Sequence, residues 1–206
     1  MQPTAVKPGL PLTLKLAFSI WIVIWIPSVI ALLGPQNFFY VCNLANLLIL
    51  IGLWRESRLL LSMQWLAVAL VGLFWGIDLA TAWLTGVHPI GGTAYMLDPD
   101  FPTAAKLLSF YHLVLPLISG FAVYRLGYDR RALPWQAALV ALLVLSAWWL
   151  TDPERNINMV HEPVIVGLLD LPPLAYLPFL TVAWIVVLLL PVHLFSAWLQ
   201  RRGRIG

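Results

Sequence analysis

Cysteine and charged residues are both scarce in this chain of 206 residues. It has one cysteine, Cys42, which excludes an internal disulfide and any metal site built from several cysteines. Lys, Arg, Asp and Glu together make up 10% of the residues, and no basic tract resembles a nucleic-acid surface. We therefore expect no nucleic-acid partner and no protein–metal centre of the cysteine type.

Apolar residues are abundant, at 61% of the chain, and they form runs long enough to cross a bilayer. The pattern predicts an all-α polytopic membrane protein, a bundle of six transmembrane helices that forms one integral membrane domain over residues 1–206. The first run is too long for the apolar part of a cleaved signal peptide. Four prolines inside three of the runs are expected to kink their helices: Pro27, Pro116, Pro178 and Pro191. The predicted spans are Leu14–Leu33, Phe38–Trp54, Leu59–Thr85, Ala104–Leu126, Trp135–Leu150 and Leu174–Trp198.

The basic residues separate to one side of this six-span map. Of the twelve Lys and Arg residues, only Lys106 and Arg155 fall on the other side. The positive-inside rule then predicts that both termini are cytoplasmic, in a bacterial-type inner membrane. Basic residues beside helix ends contact anionic headgroups, so membrane lipids are the expected partners. The basic side carries Lys7, Lys15, Arg55, Arg58, Arg125, Arg130, Arg131, Arg201, Arg202 and Arg204.

Few polar residues fall inside the predicted spans, and a charged one at a helix centre costs at least ~2.5 kcal/mol on insertion scales. Three of them, Cys42, Asp78 and His112, lie on different helices at a similar depth. At about 1.5 Å per residue, that depth is roughly 6–12 Å below the outer surface. The polar set is Cys42, Asn43, Asn46, Asp78, Ser109, His112 and His193.

This outer layer holds the residue types that thiol catalysis needs. A thiol in an apolar layer is a poor nucleophile unless a base such as His112 can take its proton. Asp78 could orient that imidazole, and the Asn43 amide could donate to an oxyanion. The same residues also fit a structural interpretation: asparagines that bond across helices, a cysteine that packs as a small hydrophobe, and a buried Asp–His pair. The spacing of His88 and His161 matches no metal-ligand motif, so we predict no metal and no cofactor.

Several short motifs recur in an order that is similar to a known family. They are Cys42-Asn43-Leu44, Phe74-Trp75-Gly76, Phe110-Tyr111-His112 and Asn156-Ile157-Asn158, followed by Pro178 and Pro191. The chain resembles the YwaF-like bacterial integral membrane proteins, whose eukaryotic relatives include a phospholipid acyltransferase thought to use a membrane Cys and His. Where the family often has a His two residues before the Cys, this chain has Tyr40.

The resemblance implies an acyltransferase-like enzyme that acts on lipids through a Cys42 thioester, with His112 as base and Asp78 beside it. Its polar support would come from Asn43, Asn46, Ser109, Asn156 and Asn158. Two other functions remain open. The chain could be a non-enzymatic accessory or assembly subunit of a larger membrane complex. It could also be a small proton-coupled carrier, although we expect the cytoplasmic half of the spans to lack the polar residues that would complete a path.

Overall fold

The protein, represented by a computed structural model, is described over residues 9–162 and 171–205. This part of the chain contains helices and no strands, which confirms the all-α polytopic fold. Lys7 of the predicted basic side lies outside the described residues. The helices are α1 (Leu12–Leu33), α2 (Val41–Arg55), α3 (Arg58–Thr85), α4 (Ala94–Leu97), α5 (Thr103–Ser109), α6 (Tyr111–Leu126), α7 (Ala132–Leu150), α8 (Pro173–Ala183) and α9 (Leu190–Arg201).

Five helical segments are long and apolar enough to cross a membrane. Helix α2 is shorter, with 15 residues and a length of about 22 Å, and a 3₁₀ turn over Pro35–Phe39 precedes it. The five segments are Leu12–Leu33, Arg58–Thr85, Thr103–Leu126, Ala132–Leu150 and Leu174–Arg201.

The two ends of the bundle differ in their contacts. At the end near the termini, Lys15 pairs with Glu56 at 2.7 Å, and Gln200 donates to the Tyr128 carbonyl at 2.9 Å. We call this the terminal end. At the opposite end, which we call the loop end, Val41 N–H donates to the Asn158 side chain at 3.1 Å. The loop end carries the connection between α3 and α6 and the connection that follows α7.

Helix α3 forms the centre of the bundle and packs against α2, α6, α7 and α9. Its closest approach is to α6 at Gly72, where a Cβ would clash with the His112 carbonyl and the Pro116 ring. Pro116 has no N–H, so the His112 carbonyl lacks the helical donor four residues later. The missing side chain at Gly72 lets α3 pack directly onto this carbonyl.

The last span is irregular where Pro191 occurs. A π-helical segment, Trp184–Leu189, separates α8 from α9, and Pro191 lies in the first turn of α9. Proline removes a backbone donor from the helix, and such sites commonly show kinks or widened turns. By contrast, α1 continues from Leu12 to Leu33 with Pro27 inside it.

The half of the bundle near the termini is more polar than we expected from the sequence. Gln64 of α3 and Gln136 of α7 are both buried there, and Gln64 Nε2 lies 3.5 Å from Gln136 Oε1. Ser62 and Ser196 are buried at the same end. These amides and hydroxyls are absent from the polar set that the sequence indicated, and the expectation that this half lacks the polar residues to complete a carrier's path stays a prediction.

Candidate functional site

The single thiol lies in a small polar cluster at the loop end. The Tyr111 hydroxyl contacts Asn43 Oδ1 and lies 3.3 Å from Cys42 Sγ. Asn43 and Tyr111 are buried, whereas Cys42 is half-buried. We call these three residues the thiol cluster. The cluster lies at the start of α2 and of α6, two of the helices on which the sequence predicted this layer.

The orientation of the Asn43 amide is fixed by a second contact. Its Nδ2 donates to the Asn37 carbonyl at 2.7 Å, so its Oδ1 must be the atom that faces Tyr111. A phenol carries one proton and can donate to one partner at a time. The Tyr111 hydroxyl can therefore donate either to Asn43 Oδ1 or to a thiolate at Cys42, and the choice depends on the charge of the sulfur.

His112 lies beside the thiol cluster with its ring held on three sides. The ring stacks on Trp75 at 5.2 Å between centroids and on Tyr111 at 4.2 Å. Its Nδ1 lies 2.8 Å from the Ser109 carbonyl, which can only accept, so Nδ1 carries the proton. In the neutral ring this leaves a lone pair on Nε2, the form that a general base needs.

The loop between α3 and α5 folds back onto this cluster through Tyr95. The Trp75 indole donates to the Tyr95 hydroxyl at 3.1 Å. Burial raises the pKa of Tyr95. Tyr95 is therefore connected to the site through Trp75, whose ring stacks on His112.

Asp78 anchors the same loop. Its side chain is 1% exposed and accepts four hydrogen bonds, from Ile90 N–H at 2.7 Å, Gly91 N–H at 3.1 Å, Thr93 N–H at 2.9 Å and the Thr93 hydroxyl at 2.6 Å. His88 Nδ1 lies 3.6 Å from Asp78 Oδ2 and 3.0 Å from Thr93 Oγ1. We call this group of five residues the loop anchor.

The predicted partnership of Asp78 with His112 is thus replaced by two separate arrangements. The described residues show no hydrogen bond between these side chains: the Ser109 carbonyl orients His112, and Asp78 binds the loop. The sequence predicted the depth of Asp78 but not the fold of the loop, whose backbone donors satisfy the carboxylate. The described residues also record no hydrogen bond between His112 and Cys42.

Asn156 and Asn158 organise the connection that follows α7. Asn158 Oδ1 accepts from Val41 N–H at 3.1 Å and its Nδ2 donates to the Phe39 carbonyl at 2.8 Å, so it caps the start of α2. Asn156 Oδ1 accepts from His161 N–H and Glu162 N–H, each at 3.0 Å. Both asparagines have positive φ, at 41° and 53°, which this residue type tolerates well.

Asn46 also supports the helix that carries Cys42. Its Oδ1 accepts from the Trp21 indole at 3.0 Å, and its Nδ2 donates to the Cys42 carbonyl at 3.3 Å. Ser109 donates to the Ala105 carbonyl at 2.9 Å. These two predicted support residues thus bind backbone and aromatic partners.

Sequence reasoning missed Tyr95 and Tyr111 as polar members of the site. Tyr111 occurs in the Phe110-Tyr111-His112 motif, but the list of polar residues inside the spans omitted tyrosines. Counting phenols as intramembrane hydrogen-bonding groups would have found Tyr111, whereas Tyr95 lies in the loop between two predicted spans. His161 stacks on Trp148 at 4.5 Å, and the described residues contain no group of three or more His, Cys, Asp or Glu side chains that could hold a metal.

Comparison with known proteins gave no match to a family model, to a curated protein or to a solved structure. The resemblance to the YwaF-like proteins therefore stays a prediction from the short motifs.

Proposed function

We propose that the protein is a membrane-embedded, acyltransferase-like enzyme that forms a thioester between Cys42 and an acyl chain from a lipid. The observation that carries the proposal is the contact of 3.3 Å between Cys42 Sγ and the Tyr111 hydroxyl, at a thiol that is half-buried rather than sealed in the core. A cysteine that only packs as a small hydrophobe needs no such partner. A thiol that must become a thiolate needs a donor beside it.

The proposed step transfers an acyl group from an ester to sulfur. His112 Nε2 accepts the thiol proton, directly or through one water, and the sulfur electron pair attacks the ester carbonyl. The C–S bond forms and the C–O bond to the alcohol breaks. His112 then returns the proton to the leaving alkoxide, so the products are the Cys42 thioester and the free alcohol.

Tyr111 has a distinct role in this step. Before reaction its proton is donated to Asn43 Oδ1, and it turns toward sulfur or toward the developing oxyanion as negative charge appears. Asn43 is held by Asn37 and keeps the phenol in place between these states. Asp78 is a structural residue of the loop anchor in this mechanism and takes no part in proton transfer.

Intact-mass analysis of purified protein tests the proposal, because the chain has one cysteine and any thioester must be on it. We expect an acyl adduct that hydroxylamine removes and that is absent in Cys42→Ser. Tyr111→Phe should slow the formation of the adduct by roughly 10²-fold, as the loss of one oxyanion donor slows other acyl transfers. Ser119→Ala is the matched control, since this buried hydroxyl of α6 donates to the Leu115 carbonyl of its own helix.

If wild type is never acylated when supplied with phospholipid, the enzymatic proposal is abandoned in favour of the accessory subunit. That alternative predicts that the protein co-purifies with another membrane protein and that Cys42→Ser leaves the complex intact.

We also propose a bacterial-type inner membrane location with both termini in the cytoplasm, on the basis of the basic residues near the terminal end. In a Cys42→Ser background, a membrane-impermeant thiol reagent applied to the outer face should modify Asp98→Cys and leave Arg204→Cys unmodified. The reverse pattern would invert the topology and move the site to the inner leaflet.

A further inference from the structure

A cationic side chain, Arg155, is linked to the thiol cluster by hydrogen bonds through Asn37. It lies in a 3₁₀ turn, Pro153–Arg155, that follows α7. Its Nη2 donates to Asn37 Oδ1 at 2.8 Å, and its Nη1 lies beside Gly34. A guanidinium has five N–H donors, and the described residues engage one of them in a hydrogen bond. No carboxylate in this part of the chain lies within ion-pair distance of Arg155. Within the described residues, the half-buried cation thus retains most of its donors.

Two acidic neighbours do not neutralise this guanidinium. Asp152 uses its carboxylate to accept from Glu154 N–H at 3.1 Å, which caps the turn. Glu154 is exposed and points to no basic partner within the described residues. Lys106, the other basic residue at the loop end, donates its ammonium to the Asp98 carbonyl. Arg155 is therefore the cation at this end that is positioned to bind an anion.

A continuous hydrogen-bonded path joins Arg155 to the thiol. Asn37 accepts from Arg155 through its side chain and from Asn43 through its carbonyl, and Asn43 accepts in turn from Tyr111, which contacts Cys42. Tyr40 provides a second link, because its hydroxyl donates to the Arg155 carbonyl at 3.4 Å. Tyr40 also lies within electrostatic range of both Cys42 and Arg155. The cation and the thiol thus belong to one local structure.

Arg155 lies at the level where lipid headgroups are expected. The end of α7 carries Trp149, which is 77% exposed, and the end of α3 carries Trp83, which is 63% exposed. Tryptophans of this kind concentrate at the membrane–water interface. Arg155 follows α7 by a few residues, whereas Cys42 lies within the first turn of α2 below it. A lipid that binds here would have its headgroup beside Arg155 and its acyl ester nearer to Cys42.

We propose that Arg155 binds the phosphate of a glycerophospholipid headgroup and thereby positions the ester of that lipid next to Cys42. Guanidinium groups bind phosphate through paired hydrogen bonds. The hydrogen bond to Asn37 already orients the plane of the Arg155 guanidinium, which favours such binding. The proposed binding of the headgroup is argued from Arg155 and does not require catalysis. The proposed placement of the ester rests on the proposed function. The site discriminates phospholipids from neutral diacylglycerols of the same chain length.

Lipid binding is measured in a Cys42→Ser background, where no acyl transfer can occur. Native mass spectrometry compares retention of dioleoyl phosphatidylglycerol with retention of dioleoylglycerol. We expect a phospholipid preference of about tenfold, since one charge-assisted hydrogen bond contributes on that order. Arg155→Gln keeps a donor to Asn37 and should remove the preference, Arg155→Lys should keep part of it, and Lys106→Gln is the matched control that should leave it unchanged.

Three outcomes overturn the proposal. Equal phospholipid retention by the parent and Arg155→Gln, with equal melting temperatures, shows that Arg155 does not bind the headgroup. Arg155-dependent binding of glycerol 3-phosphate without binding of the phospholipid assigns the site to a soluble phosphate. If Arg155→Gln does not fold, an unchanged preference in Arg155→Lys together with a reduced preference in Lys106→Gln assigns the effect to general surface charge. A different result separates the two proposals: Arg155-dependent retention without any Cys42 adduct in the wild type would refute the proposed acyl transfer and support the lipid site.

Discussion

Replacement of Asp78 should release the loop of the loop anchor before it unfolds the bundle. In Asp78→Asn, Oδ1 can still accept from Ile90 and Gly91, but the new amide nitrogen faces the Thr93 N–H and hydroxyl, which are donors. The Thr93 hydroxyl can turn and accept from this amide with the lone pair that His88 does not use, but its own proton then loses the acceptor at Oδ2. The Thr93 N–H is left without an acceptor at a buried position, which costs about 1–3 kcal/mol, and weaker bonds to Oδ1 add to this.

Hydrogen exchange of the loop amides measures this effect directly. A loss of about 3 kcal/mol in the free energy of local opening accelerates exchange at Thr93 on the order of 10²-fold. Asp78→Leu removes both acceptor oxygens, and with them all four hydrogen bonds, and should exchange fastest. Thr93→Val removes one hydroxyl and should show an effect of about tenfold. Asp98→Asn is the matched control, because this exposed carboxylate of the same loop accepts from Asp100 N–H at 2.9 Å.

The reasoning about the loop anchor fails if Asp78→Asn exchanges at the wild-type rate. It also fails if exchange rises equally in α1 and α7, because the carboxylate would then stabilise the whole bundle rather than the loop.

Three further predictions concern the packing and the ends of the bundle. Gly72→Ala should lower the melting temperature in detergent by an overpacking cost of about 2 kcal/mol, whereas Gly92→Ala, which meets open space, should change it little. Asn158→Ala should cost about 2 kcal/mol by removing the cap of α2, while Asn158→Asp keeps the acceptor and should lose less; equal losses would argue against capping. The hydrogen bond from Lys15 lowers the pKa of Glu56, so this stabilisation is complete above the ordinary carboxyl pKa of about 4.3 and is lost as pH falls through the lower native value. The melting temperature of wild type should therefore fall more between about pH 6 and pH 3 than that of Glu56→Gln.

The spans were predictable because continuous apolar runs bounded by basic residues leave little freedom in where a membrane helix begins and ends. The predicted span Leu59–Thr85 differs by one residue from α3, Arg58–Thr85. The fourth span is different: it was predicted as continuous, and the structure divides it at Phe110. Phe110 packs edge-on against Trp75 at 5.7 Å, a tertiary contact that hydropathy does not report.

The candidate site was predictable in depth but not in its pairings. Counting residues from the helix ends assigned Cys42, Asp78 and His112 to one layer, and the structure has Cys42 beside Tyr111, the residue that precedes His112. Depth fixes the position along a helix axis and leaves the rotation about that axis undetermined. Asp78 could not be matched to its partners for a further reason, since three of its four hydrogen bonds come from backbone N–H groups, which carry no sequence signal.

The loop anchor has a consequence for how a lipid could reach Cys42. A carboxylate that is 1% exposed in an apolar layer is stable only while its donors remain in place, so opening the loop leaves Asp78 unpaired at a high cost. Tyr95 extends this constraint to the neighbourhood of His112, because the same loop holds it against Trp75, whose ring stacks on His112. Entry from the water above the loop end would therefore require the anchor to break. Cys42 is nevertheless half-buried rather than sealed. We accordingly expect its remaining exposure to face the bilayer laterally, which favours a substrate that arrives with its acyl chain already in the membrane over one that arrives from solution.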